Sequence, residues 1–138
     1  MTAKNYLGQA KFLDQRIETK VQQINSLNEL ATLCAVAISG MPGSPNRGGS
    51  KVEDCTVKIV DLQEEVKRDV SHLVDLKRDI MATIRKVDDP ELQVILEKRY
   101  LCFIPWEKIA VEMGYSVQHV FRLHDKAAKA VAKVLAAA

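Results

Sequence analysis

The sequence predicts an all-α protein: a long antiparallel, coiled-coil-like helical hairpin over residues 1–88, then a small three-helix helix-turn-helix domain over 89–138. Three observations predict it. Apolar residues recur at alternating steps of three and four through two stretches of about equal length. A Gly/Pro-rich segment separates those stretches. Beyond Pro90 the composition changes, and five of the seven aromatic residues fall between Tyr100 and Phe121.

In residues 3–38 the apolar positions are Tyr6, Ala10, Leu13, Ile17, Ile24, Leu27, Ala31, Cys34 and Ile38. This spacing places them along one seam of a helix. One position is skipped at Lys20, where Val21 sits next door. Residues 39–51 hold four glycines and two prolines. Proline removes a helix donor and glycine forfeits backbone entropy, so a loop is expected there. Asn46 and Arg47 at its tip are candidate contacts to DNA or a partner.

Residues 52–87 resume the pattern at Val52, Cys55, Ile59, Leu62, Val66, Val70, Leu73, Leu76, Ile80, Ile84 and Val87, with charged residues between. Each helix is about 50 Å long at 1.5 Å per residue. A hairpin packed within the chain and two hairpins meeting in a dimer fit this pattern equally. Asp88-Asp89-Pro90 ends the second helix, with Asp89 as N-cap and Pro90 at the first position of the next. A narrow coiled-coil seam has little room for rings, whereas a small globular core uses their large area. A change of architecture near residue 89 follows.

Three short helices are expected beyond it, at about 90–101, 105–113 and 117–135. Gly114 suits the left-handed turn that ends the second, and Ser116 suits the N-cap of the third. Helix, glycine-containing turn, helix is the helix-turn-helix pattern. On the third helix Val120, Leu123, Ala127, Val131 and Val134 share one face. Arg122, Lys126, Lys129 and Lys133 share the opposite one, with Gln118 and His119 at its leading end. Such a helix suits the major groove of double-stranded DNA. Lysine and arginine neutralise phosphates, while Gln, His and Arg near the N-terminal end reach base edges. The candidate DNA-binding residues are therefore Ser116, Gln118, His119, Arg122, Lys126, Lys129 and Lys133.

The overall charge of +2 does not by itself announce a nucleic-acid binder. The distribution is more telling: residues 117–138 hold four basic residues against one acidic. No run of 18 apolar residues exists and the N-terminus lacks a signal peptide's apolar core, so a cytoplasmic location without membrane contact is expected. Three scattered cysteines, Cys34, Cys55 and Cys102, read as free thiols. No metal site is expected, because ligands are not clustered and His119 and His124 diverge around a helix. Gly40, Gly43, Gly48 and Gly49 lack the Lys-Ser/Thr ending of a P-loop. With no nucleophile–base set in a recognisable context, neither catalysis nor a cofactor is expected.

From Trp106 through Ile109-Ala110, Gly114 and Ser116 to Val120, the chain resembles the helix-turn-helix of sigma-70 region 4. The upstream run Leu96-Glu97-Lys98-Arg99-Tyr100-Leu101 resembles that module's preceding helix. A departure is Ile104-Pro105, where relatives often place Ser or Thr before the aromatic residue. The whole chain also resembles small phage and prophage proteins of Gram-positive bacteria related to the ArpU-type late-transcription regulators. That likeness rests on Tyr6-Leu7, the run Leu13 to Ile17, the run Met41 to Asn46, the run Val57 to Leu62, and Arg99 to Phe103 with Trp106. The resemblance implies transcription control of a phage operon, with DNA contacts at Ser116, Gln118, His119 and Arg122 and phosphate contacts at Lys126 and Lys129. The arm would then serve homodimerisation or contact with RNA polymerase. Two alternatives stand beside this reading: an adaptor that binds a polymerase subunit or another host protein, and an accessory protein of DNA packaging.

Overall fold

A computed structural model describes the backbone of residues 2–40 and 45–138, with side chains described over 2–36 and 51–138. It is all-α, and no strand occurs among the described residues. Among the described residues five α-helices follow in order: α1 (Ala3–Gly40), α2 (Pro45–Arg85), α3 (Pro90–Leu96), α4 (Trp106–Met113) and α5 (Val117–Ala137). A π-helical segment, Glu97–Leu101, prolongs α3.

Over 39–51, where a loop is expected, the described backbone of 39–40 and 45–51 is helical. Helical backbone reaches Gly40 and resumes at Pro45. Pro45 can open α2 because the first helical N–H has no intrahelical partner to lose. Residues 41–44 of that expected loop, and the side chains of Asn46 and Arg47, lie outside the described residues.

The chain divides into two compact units, Met1–Leu13 with His72–Ala138, and Asp14–Ser71. The second unit pairs α1 and α2 antiparallel. The seam runs through Ile17, Lys20, Ile24, Leu27, Ala31 and Cys34 on α1 and through Val52, Cys55, Ile59, Leu62, Val66 and Asp69 on α2, all half-buried. Lys20 occupies the seam position and Val21 is exposed, so the expected skip is filled by a charge. Its ammonium lies 2.6 Å from Asp69 and 3.5 Å from Glu65. On α2 likewise Asp69 turns inward, whereas Val70, expected in the seam, is exposed.

In the first unit the start of α1 and the end of α2 again run antiparallel. The Tyr6 hydroxyl bonds both the Asp79 carboxylate and the Thr83 hydroxyl. Leu7, Ala10, Ile80, Ile84 and Val87 form one core with Leu92 and Leu96 of α3 and Ala127 and Val131 of α5. Residues from both sides of the sequence change near 89 therefore share this core. Leu7, between seam residues Tyr6 and Ala10, is fully buried because it faces these later helices.

Candidate nucleic-acid interface

The turn that carries the site is built from local signals. Asp89 caps α3, its carboxylate accepting from the Glu91 N–H at 2.9 Å with Pro90 at the first position. The π-helical segment then widens the chain: the Cys102 N–H reaches the Glu97 carbonyl and the Ile104 N–H reaches Lys98. Phe103 follows at φ 57°, a left-handed conformation uncommon outside glycine, with the Lys77 ammonium 4.7 Å from its ring centroid. Pro105 takes the N-cap of α4 rather than its first helical position, one residue from the expected start.

α4 ends at Gly114, where φ 73° and ψ 29° are left-handed and the N–H bonds the Ala110 and Val111 carbonyls. Only glycine adopts this conformation without a Cβ penalty. Ser116 then caps α5, its hydroxyl oxygen accepting from the His119 N–H at 3.2 Å. Ile109, Ala110 and Val120 lock the two helices together, packed by Ile104, Trp106, Met113 and Val117. Trp106 is half-buried and meets the more exposed Phe121 edge-on at 5.5 Å, which places both rings at the core edge. The Arg99 guanidinium covers the Trp106 ring at 4.6 Å.

α5 presents two faces. Val120, Ala127 and Val131 are fully buried, and Leu123 and Val134 half-buried. Two residues missing from the expected core face join them, Ala128 and His124. The His124 ring packs edge-on to Trp106 at 4.6 Å, and its Nε2 lies 2.5 Å from the Tyr100 hydroxyl. Burial, and then the nearby Lys4 charge, hold its pKa below the usual imidazole range, against the pull of Asp125. His124 is thus a neutral core histidine, and its partner 24 residues upstream leaves no local sequence signal.

The opposite face gathers the proposed contacts. Gln118, Arg122, Lys126, Lys129 and Lys133 are all exposed along four turns, and Ser116 is exposed at the leading end. Among the described residues none of these four cations pairs with a carboxylate. His119 differs: it is half-buried, its ring edge-on to Tyr115 at 4.6 Å. The nearby Glu91 carboxylate raises the phenol pKa of Tyr115. The edge-on contact with Tyr115 sets the His119 ring beside the turn.

Sequence reasoning missed one further cation. Lys126, Lys129 and Lys133 line a groove of about 450 Å³ together with Lys86, from the turn after α2. Val87, Leu92, Ala130 and Val134 form its apolar lining, and Asp88 and Asp89 its acidic edge. Lys86 lies 40 positions before Lys126, so only the fold brings it to the stripe.

Among the described residues no group of three or more His, Cys, Asp or Glu side chains could hold a metal ion. The described cysteines are free thiols, and no described helix is long and apolar enough to cross a membrane. The glycine turn, the Ser116 cap and the two-faced α5 define an all-α protein with a helix-turn-helix unit. The chain belongs to the family described as "Protein of unknown function (DUF1492)", which matches residues 42–132. No curated protein and no solved structure matches it.

Proposed function

We propose that the protein is a phage-encoded, sequence-specific DNA-binding regulator of transcription, reading double-stranded DNA through α5 in the manner of sigma-70 region 4. The observation that carries this reading is the cation stripe Arg122, Lys126, Lys129 and Lys133, without carboxylate partners among the described residues, on the exposed face of a helix introduced by a glycine turn. A stripe of one sign of charge favours an external polyanion, and regular helical spacing suits the phosphates along one groove.

Gln118 and Arg122, one turn apart at the leading end, supply base-edge contacts, and His119 adds one from its fixed position beside Tyr115. The Ser116 hydroxyl uses its oxygen lone pair for the cap, leaving its proton to donate to a phosphate. Lys126, Lys129, Lys133 and Lys86 follow the backbone behind them.

A second reading, an adaptor that docks on a polymerase subunit or another host protein, draws on Val111. This α4 side chain is 81% exposed, the most of any large apolar residue described. Selection of duplexes from a random pool at moderate salt separates the two. An enriched motif whose binding weakens in Arg122→Ala/Lys126→Ala supports DNA recognition. A pool without enrichment, or a motif bound equally by that variant, overturns it.

A further inference from the structure

The unit Asp14–Ser71 has a packing deficit. None of its described side chains is buried, and even the seam between α1 and α2 is only half-covered. Two helices alone leave both flanks of a seam open to water, and a helix gains most of its stability from covering an apolar face. On α1 one flank forms a second stripe with the same alternating spacing: Thr19, Gln23, Ser26, Leu30 and Leu33. It carries no charge, and Glu29 is the one ionic residue between Val21 and Val36.

The stripe is lopsided. Leu30 and Leu33 project at one end, 52% and 65% exposed. At the other end Thr19, Gln22, Gln23 and Ser26 form one wall of a groove of about 650 Å³, with Lys58, Asp61 and Glu65 of α2 on the opposite side. Knob and hole lie at equal distances from Ser26. Leu33 is seven residues beyond it and Thr19 seven before, about 10 Å each way along the helix.

We infer that the groove is filled by a second copy of this chain, α1 lying antiparallel on α1 about a two-fold axis beside Ser26. Leu33 of each copy then enters beside Thr19 of the other, and Leu30 beside Gln22. An isologous interface needs one patch that fits itself when turned, and a ridge and groove equidistant from a centre meet that condition. Glu29 comes opposite Gln23 rather than its own copy, so the two Glu29 side chains do not face each other, and Lys58 is the cation on the groove's other wall. The product is a four-helix arrangement in which the half-covered seam positions gain a second layer. This inference is independent of the DNA reading, which concerns the other unit.

Sedimentation equilibrium of the full chain over about 1–100 µM tests it, with a dimer expected. Leu30→Lys/Leu33→Lys changes two exposed side chains, so helical circular dichroism is retained. Association weakens by about 100-fold or more, the factor that two buried leucines carry. The axis is tested in a chain with Cys34, Cys55 and Cys102 replaced by Ala. With oxidised glutathione as oxidant, Ser26→Cys links to its own copy, two thiols giving one disulfide and two glutathiones. Thr19→Cys does not link to itself but links to Leu33→Cys when the two are mixed. A chain monomeric at about 100 µM, a dimer unaffected by the leucine pair, or Thr19→Cys self-linking as fast as Ser26→Cys would overturn the inference. The first of these results would leave the groove to a different protein.

Discussion

If α5 binds DNA as proposed, removing two of its lysines should weaken that binding by a calculable amount. Lys126 and Lys129 are exposed and carry no ion pair among the described residues, while Ala127 and Ala128 between them pack inward. The variant Lys126→Ala/Lys129→Ala therefore removes charge without opening the core, and stability should stay within about 0.5 kcal/mol of the parent. If each lysine neutralises one phosphate, the plot of log K against log salt becomes shallower by about 1.8, two contacts at about 0.9 each. Relative to 1 M salt, where this contribution vanishes, the same slope weakens binding about 60-fold at about 0.1 M. The effect is independent of sequence, so a labelled mixed-sequence duplex of about 30 bp suffices as probe. Fluorescence anisotropy from about 0.05 to 0.3 M salt reads both slope and affinity. Lys51→Ala/Lys67→Ala removes the same charge from the other unit and should leave the slope unchanged. An unaltered slope in the α5 variant, or an equal change in the control, would refute phosphate binding by this face.

Three further outcomes follow from the turn and the core around it. Ser116→Ala removes the acceptor of the His119 N–H and should cost about 1 kcal/mol by urea unfolding, while Ser116→Asp retains most of it; equal stability of all three chains would deny the cap. Gly114→Ala meets no atom within 4 Å of the added carbon, so its cost, about 1–2 kcal/mol, is that of the left-handed backbone alone. The His124 pKa is depressed in the folded chain, so the unfolded state takes up the proton first: the histidine's stabilisation is complete above about pH 6.5 and is lost as the pH falls below it. Thermal unfolding between about pH 7.5 and 5.5 should show that decline, and His124→Gln should flatten it; parallel curves for the two chains would refute the assignment.

The two ends of the chain differ in how much of this structure their residues disclose, and the difference is one of range. The helix-turn-helix unit was legible because its signals are local. Asp89 bonds two residues ahead, Ser116 three ahead, and Gly114 acts through its own backbone. The outward face of α5 was legible for the same reason, since helical periodicity alone separates Arg122, Lys126, Lys129 and Lys133 from Val120, Ala127 and Val131. What escaped depends on contacts between distant segments. Leu7 is buried by α3 and α5, His124 by Tyr100 and Trp106, and Lys86 reaches the cation stripe only through the fold.

The arm shows why hydrophobicity can point to the wrong neighbour even where periodicity is strong. At two places a charged residue stands beside a valine, Lys20 before Val21 and Asp69 before Val70, and each valine looks like the better seam residue. The structure turns both charges inward and both valines out. One choice compels the other: a half-buried ammonium without a partner is costly, but Asp69 at 2.6 Å and Glu65 at 3.5 Å satisfy it. Asp69 in turn is held ionised by the Lys20 hydrogen bond, which lowers its pKa. The pair also fixes alignment. Sliding α2 by one heptad toward its start or its end would set Lys20 against Leu62 or Leu76 in place of Asp69, and an apolar seam alone would not resist such a slip. A single polar layer in a coiled-coil seam specifies register at some cost in stability. In this arm that layer holds Leu30, Leu33 and the groove beside Ser26 in a constant relation to α2.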